Sequence, residues 1–254
     1  MYSLLIAGAV ALVFFLLWAL VPLWGGWGLG LVLGVIAFVV TWVWFARRLR
    51  RQIEPRFLQA QRLAEGGRVE PALEILEGML PFGKWMPLLT GQLHAQIGIF
   101  AHHLGDKDKA LRHLKSASKR ATESQLLLAT IHYKNGRLDD TKRTLDRAIA
   151  YNRRSVLLYH SYAWILQQEG DLAGAMAVLN RHLQKEKNDA TSQAALLRLQ
   201  NGNKLNMAQF GMPWYALGFE KPPQSMGQLQ QGRKGFRQAP QKPGKRQDKG
   251  KKKR

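Results

Sequence analysis

The chain contains no cysteine, which excludes disulfide bonds and thiolate metal sites. Acidic residues are also few, since 17 Asp and Glu stand against 38 Lys and Arg, for a formal net charge of +21. An excess of this size indicates anionic partners. Charged side chains of either sign are absent from one stretch, residues 1–46.

Common catalytic signatures are missing as well. The sequence has no phosphate-binding glycine loop, no nucleophile elbow and no kinase motif. It has seven histidines, and none forms the His-x-x-x-His pair of a helical metal site. We therefore expect neither an enzyme nor a bound metal or cofactor.

The uncharged run at the N-terminus is too long for one membrane span and suits two. We predict spans over residues 4–23 and 29–45, joined by a short turn at residues 25–28 that is rich in glycine. Tryptophans stand at that turn and at the far end of the second span, as in an aromatic belt (Trp24, Trp27, Trp42 and Trp44). The alternative, a cleaved signal peptide, would require a positive segment before the apolar core, and residues 1–3 supply none.

Four arginines follow the second span: Arg47, Arg48, Arg50 and Arg51. Because Lys and Arg near a span end stay on the cytoplasmic side, we predict that the N-terminus and everything after Arg47 are cytoplasmic. Gly26, Gly30 and Gly34 recur on one face of the second span and permit close helix contact. That contact is either with the first span, through Ala7 and Ala11, or with another membrane protein.

A block of residues recurs four times after the spans. Each copy has a glycine (Gly67, Gly105, Gly136 and Gly170), a small residue seven positions earlier (Ala60, Gly98, Ala129 and Ala163) and a small residue five positions later (Ala72, Ala110, Thr141 and Ala175). A leucine follows four positions after that (Leu76, Leu114, Leu145 and Leu179). Successive copies lie 38, 31 and 34 residues apart.

This pattern is typical of helix–turn–helix units. Glycine ends a helix because it adopts the left-handed conformation freely, and small residues let two helices cross closely. A generic helical bundle is the alternative, but a bundle has no need to repeat its turn at a fixed period.

The blocks resemble the tetratricopeptide repeat family, most clearly where Gly98, Ala101, Gly105, Ala110 and Leu114 follow one another. The family's usual aromatic at the front of the first helix is present only as Tyr159. The resemblance implies an α-solenoid whose first helices line a concave groove that binds a peptide of a protein partner. Carried over residue by residue, it implies a partner-binding groove formed by His102, His103, Thr130, Tyr133, Lys134, His160, Trp164, Gln167 and Gln168.

Three segments follow the repeats. Residues 189–200 predict a capping helix, and residues 204–220 combine aromatics with Gly and Pro. This aromatic segment either folds back on the last helix or the groove, or binds a partner or the membrane surface. Residues 221–254 carry twelve Lys and Arg against Asp248 alone, which predicts a disordered basic tail.

The sequence thus predicts an all-α protein with a transmembrane hairpin (1–46), a solenoid with its capping helix (47–203), an aromatic segment (204–220) and a tail (221–254). The layout, though not any specific pathway, resembles HemY-like and LapB-like proteins of bacterial inner membranes. We expect a cytoplasmic scaffold that recruits a protein partner to that membrane. The alternative is a tether in which the tail binds RNA, ribosomes or anionic lipid.

Overall fold

The computed structural model describes residues 2–20, 26–86 and 88–223, and every regular element within them is helical. The prediction of an all-helical protein is therefore confirmed for this part of the chain. The prediction of a turn at residues 25–28 is corrected in part, because a helix already begins at Gly26 and includes residues 26–28; residue 25 lies outside the described residues. The predicted tail lies outside them from residue 224 on. Contacts divide the chain into two compact units, of which the first ends at Phe210 and the second begins at Gly211.

The first unit begins with helices α1 (Tyr2–Leu20) and α2 (Gly26–Glu65). Among the described helices, α2 alone is both long and apolar enough to cross a membrane, judged by length and composition, and α1 is apolar but shorter. Helix α2 runs without a break through the arginines and past Pro55 to the first repeat glycine. The predicted second span and the first helix of the first repeat are therefore one continuous helix.

Helix α1 packs along the apolar part of α2. A Cβ atom added to Gly34 would lie 3.2 Å from the carbonyl oxygen of Ala11, and one added to Gly30 would lie 3.6 Å from Phe15. Ala7 of α1 is fully buried. Two of the three glycines predicted to permit close contact thus face α1, and the surroundings of Gly26 lie outside the described residues.

Eight further helices follow α2 in the first unit; together with the end of α2 they form a series of packed helices, called the array below. They are α3 (Val69–Gly78), α4 (Leu89–His103), α5 (Lys107–Ser116), α6 (Thr122–Lys134), α7 (Leu138–Tyr151), α8 (Val156–Gln168), α9 (Leu172–Leu183) and α10 (Ala190–Gln200). A short 3-10 helix, Leu80–Lys84, connects α3 to α4. The helices pack in consecutive pairs, α4 on α5, α6 on α7 and α8 on α9, and α3 packs on α2.

The four repeat glycines share one turn geometry. Their φ angles are all positive, between 71° and 85°. In each turn the N–H of the residue after the glycine donates to the carbonyl five residues earlier, as from Asp106 to Ala101 at 3.0 Å. This is the Schellman ending, which satisfies carbonyls that the helix leaves open.

A fifth copy of this turn closes α10. Gly202 has φ 72°, and the N–H of Asn203 donates to the carbonyl of Arg198 at 2.8 Å. The small residue seven positions earlier is the buried Ala195, and Met207, which is 2% exposed, occupies the position five residues later. The predicted capping helix is therefore built like the first helix of another repeat. In place of the second helix, residues 203–207 have no regular structure and are followed by a short 3-10 helix, Ala208–Phe210.

Small residues lie where the paired helices cross. Ala72, Ala110, Thr141 and Ala175 are fully buried, and so are the leucines that follow them. Gly98 shows how close the crossing is, because a Cβ atom placed there would lie 2.7 Å from Cγ of Leu114. Leu114 therefore fills the space that a larger residue on α4 would occupy.

The second unit contains the rest of the aromatic segment. A short helix, α11 (Met212–Tyr215), carries the buried Trp214. The Trp214 indole donates to a carboxylate oxygen of Glu220 at 2.8 Å and stacks on the Phe219 ring, with centroids 5.1 Å apart. The predicted segment 204–220 is thus divided, because Leu205 and Met207 belong to the first unit.

Candidate functional site

The predicted groove residues lie on three successive first helices, in their second halves except for His160, which lies in the first half of its helix. Helix α4 carries His102 and His103, and α6 carries Thr130, Tyr133 and Lys134. Helix α8 carries His160, Trp164, Gln167 and Gln168. Helix α6 contacts both α4 and α8. The structure therefore brings the three groups onto neighbouring helices.

Two of these residues are not available to a partner. Thr130 is 2% exposed, and its hydroxyl donates to the carbonyl of Leu126 in its own helix at 2.8 Å. His160 is fully buried, because its ring packs among α8, α10 and Phe210. The sequence prediction that their side chains line a groove is corrected on this point.

The remaining groove residues are exposed or half-buried, and the α4–α6 part of the face is positive. Burial lowers the pKa of His102, and the charges of His103, Lys134 and Lys107 lower it further. Burial and the charge of Lys107 also lower the pKa of Lys134. Clustered cations depress one another's pKa in this way, so an incoming carboxylate would relieve their repulsion.

An acidic group lies at the α8 end of the same face. The Tyr133 hydroxyl of α6 donates to the Glu169 carboxylate at the end of α8, at 2.9 Å. Burial raises the pKa of Tyr133, and the hydrogen bond and charge of Glu169 raise it further. The bond joins two successive first helices and sets their spacing on this face.

Gln167 already holds a peptide segment, which belongs to this chain. Its side-chain amide donates to the carbonyl of Asn203 at 3.2 Å, and its amide oxygen accepts from the N–H of Leu205 at 3.1 Å. The two backbone groups lie two residues apart, so one side chain pairs with the backbone as a neighbouring strand would. Arg198 adds a bond to the carbonyl of Lys204 at 3.1 Å.

Apolar side chains fix the rest of that segment, residues 203–210. Leu205 and Met207 are buried, and the ring of Phe210 meets the His160 ring edge-on, with centroids 5.0 Å apart. The sequence prediction named Gln167 and His160 as groove residues but did not find what they contact. The alternation of Leu205 and Met207 was a usable signal, since apolar residues two apart are typical of an extended segment with one buried side.

We expect Gln167→Ala to loosen this segment selectively. The N–H of Leu205 loses its acceptor, and a lost hydrogen bond of about 1 kcal/mol corresponds to about fivefold faster amide exchange. Hydrogen exchange measured by mass spectrometry over residues 203–210 tests this. The matched control is Gln168→Ala, a change of the exposed neighbouring residue, which should leave amide exchange unchanged. If both variants accelerated exchange equally, the Gln167 hydrogen bonds would not be what holds the segment.

A second polar cluster is buried behind this face. The Ser192 hydroxyl of α10 lies 3.0 Å from Nε2 of His160 and 2.9 Å from Nδ1 of His182 on α9. Asp189 accepts from the N–H of Ser192 at 2.9 Å and caps α10. Burial lowers the pKa of His160 to about 4; the charge of His182 lowers it further, and that of Asp189 opposes the shift.

The cluster combines a serine with two histidines, but its position does not suit catalysis. Ser192, His160 and His182 are all fully buried. A substrate atom would have to displace the packing of three helices to reach the hydroxyl. The cluster instead joins α8, α9 and α10 through polar contacts.

Metal ligands do not converge in the part of the chain that the structure describes, where no group of three or more His, Asp or Glu could hold an ion. His94 and His113 approach within 3.0 Å through their Nδ1 atoms, as one donor and one acceptor. Burial lowers the pKa of both, which favours the neutral rings that such a pair requires.

Comparison with known proteins gave no relative: no protein-family model and no curated protein sequence matches the chain.

Proposed function

We propose that the chain is a membrane-anchored tetratricopeptide-type scaffold, which binds an extended peptide of a protein partner on the face formed by α4, α6 and α8. The observation that carries this proposal is the pair of hydrogen bonds between the Gln167 side chain and the backbone of Asn203 and Leu205, because they show that this face can bind a peptide backbone. Segment 203–210 then acts as a ligand within the same chain. A partner peptide extends along the face toward α4 or replaces the segment.

The chemistry of the face indicates the kind of peptide. Trp164 and Tyr133 offer aromatic surface, and aromatic side chains commonly dominate small interfaces. Lys107 and Lys134 place positive charge toward α4. We therefore propose an extended peptide with an apolar part near α8 and an acidic end near α4.

Membrane anchoring is the second part of the proposal. Helix α2 is long and apolar enough to cross a bilayer, and α1 packs against it. We propose that both helices cross, with Arg47, Arg48, Arg50 and Arg51 holding the array in the cytoplasm at a bacterial inner membrane. The array would then recruit its partner to the membrane surface.

A basic surface depression favours a second function, an electrostatic tether. Five cations line it with Asp140 as the single acid: Lys115, Lys119, Arg137, Arg143 and Arg147. None of the five forms an ion pair within the described residues. A polyanion such as RNA could use this surface together with the basic tail.

The double change Trp164→Ala with Tyr133→Ala should abolish capture of the partner that resists salt. A groove contact rests on apolar burial and hydrogen bonds, whereas phosphate contacts weaken steeply between about 50 and 200 mM salt. Crosslinking and affinity purification of the full chain at both salt levels, with identification of what is retained, measures the difference.

The matched control is Tyr151→Ala, an exposed tyrosine on the second helix α7, which should leave the partner bound. A partner that survives the double change, but is removed by salt or by deletion of residues 221–254, would contradict the groove and favour the tether.

A further inference from the structure

A cavity of about 430 Å³ lies where three parts of the first unit meet. Helix α2 contributes Trp42, Phe45 and Leu49, and the segment between α3 and α4 contributes Phe82, Trp85 and Met86. The beginning of α1 closes a third side. The volume lies in the range of about 300–1,000 Å³ that is typical of sites for small ligands.

Positive charge stands at one edge of this apolar cavity. Arg48 lines it and also lines an adjoining depression together with Trp44, Arg47 and Arg51. The Arg48 guanidinium lies 5.4 Å from the centre of the Trp44 ring. An apolar cavity that opens beside arginines matches an amphiphile with a hydrocarbon chain and an anionic head.

The described residues of this wall, 82–86 and 88, are held in place by contacts with α1 and α2. The Ser3 hydroxyl donates to the backbone carbonyl of Trp85, and the Tyr2 ring meets the Trp85 ring edge-on, with centroids 5.5 Å apart. The Arg56 guanidinium lies 5.4 Å from the centre of the Phe82 ring. These contacts hold the wall against both α1 and α2.

The same wall presents apolar surface outward. Leu88 is 68% exposed and has φ 75°, a left-handed conformation that is rare for leucine. Trp85 is partly exposed beside it. Exposed Trp and Leu beside arginines are typical of a segment at the membrane–water boundary.

The position along α2 identifies the source of the amphiphile. The uncharged run ends at Ala46, and the arginines begin at Arg47. The cavity spans this boundary, since its residues on α2 lie between Trp42 and Gln52. In a chain anchored as proposed, that is the level at which acyl chains give way to phosphate groups.

We propose that this cavity binds one acyl chain of an anionic phospholipid from the surrounding leaflet, with Arg48 and Arg51 at the phosphate. This inference rests on the membrane anchoring in the proposed function and is independent of the peptide groove. A bound lipid would fix residues 82–88, and hence the first helix pairs, at the membrane surface.

The test uses the full chain in phosphatidylcholine vesicles that contain a photoreactive group on an acyl chain. The label is carried either by phosphatidylglycerol or by phosphatidylcholine, and crosslinked peptides are mapped by mass spectrometry. We expect the anionic probe to label residues 82–88 at least about fivefold more than the neutral probe, which is the effect of one arginine near an anionic headgroup. Equal labelling by the two probes would overturn the proposal.

Two variants distinguish the contribution of the apolar cavity from that of the arginines at its edge. Ala46→Trp fills the cavity and should remove labelling of residues 82–88 by either probe. Arg48→Gln with Arg51→Gln should retain labelling but reduce the preference for the anionic probe to less than about twofold. The matched control, Arg62→Gln with Arg68→Gln, changes two exposed arginines outside the cavity and should have no effect.

Flotation of the vesicles distinguishes the possible failures. A chain that does not float with vesicles would overturn both the membrane anchor and the lipid site. A chain that floats, but whose labelling is spread evenly along α1 and α2 and is insensitive to Ala46→Trp, binds only surrounding lipid; the lipid site is then overturned, and the anchor and groove stand.

Discussion

Gly98→Leu should lower the free energy of unfolding of the array by about 3 kcal/mol, the upper part of the range for overpacked cores. Even the first atom of the new side chain would lie 2.7 Å from Cγ and 3.1 Å from the backbone nitrogen of Leu114. A rotamer change of Leu114 cannot remove the second contact, so α4 and α5 would have to move apart. Urea unfolding of the detergent-purified chain, followed by circular dichroism, measures the loss.

Gly78→Leu is the matched control. Gly78 ends α3, and a Cβ atom placed there would meet nothing within 4 Å. The same substitution should therefore change stability little. If the two variants were equally stable, α4 and α5 would not cross at Gly98.

The parts of the fold that follow from local rules were predictable from sequence. Gly105 ends a helix because few other residues adopt its φ of 85° without strain. The spacing of small residues around it then marks the helix faces that are buried. The turn at Gly202 obeys the same rule, and the sequence places the end of the capping helix there; because no second helix follows, the sequence did not show it as a fifth copy of the block.

The face that we propose to bind a peptide was less predictable, because the exposure of its side chains depends on what a distant segment covers. Gln167 contacts Asn203 and Leu205, which lie 36 and 38 residues further along the chain. No local pattern places those residues against α8. His160 is likewise buried because α10 and Phe210 cover it, and helical periodicity alone cannot distinguish a covered face from an open groove.

The buried cluster of His160, Ser192 and His182 was missed for the same reason. Each residue is unremarkable in its own helix, and only the packing of α8, α9 and α10 brings the three together. The effect of this cluster on stability can be derived only from that packing. We expect it to make the stability of the folded protein sensitive to acid.

Acid should destabilise the C-terminal part of the array through His160. Burial lowers its pKa to about 4 in the folded protein, from 6.5 in the unfolded chain. The unfolded state therefore binds more protons between these values, so the stability present above about pH 6.5 is lost as the pH falls toward 4. At about 1.4 kcal/mol per pH unit the loss approaches about 3 kcal/mol.

His160→Gln isolates this contribution, because glutamine can still hydrogen-bond to Ser192 but does not titrate. The stability advantage of the native chain over this variant should shrink by about 2–3 kcal/mol between about pH 7 and pH 4.5, measured by urea unfolding at each pH. Burial also lowers the pKa of His94, His102, His113 and His132, but these groups titrate in both proteins and cancel in the comparison. The matched control is Gln168→Ala, an exposed side chain of the same helix that does not titrate, which should leave the native acid dependence unchanged. If His160→Gln instead lost stability with acid as steeply as the native chain, His160 would not be buried as a neutral ring between α8 and α10. The contact at the C-terminal end of the array would then have to be formed by other residues.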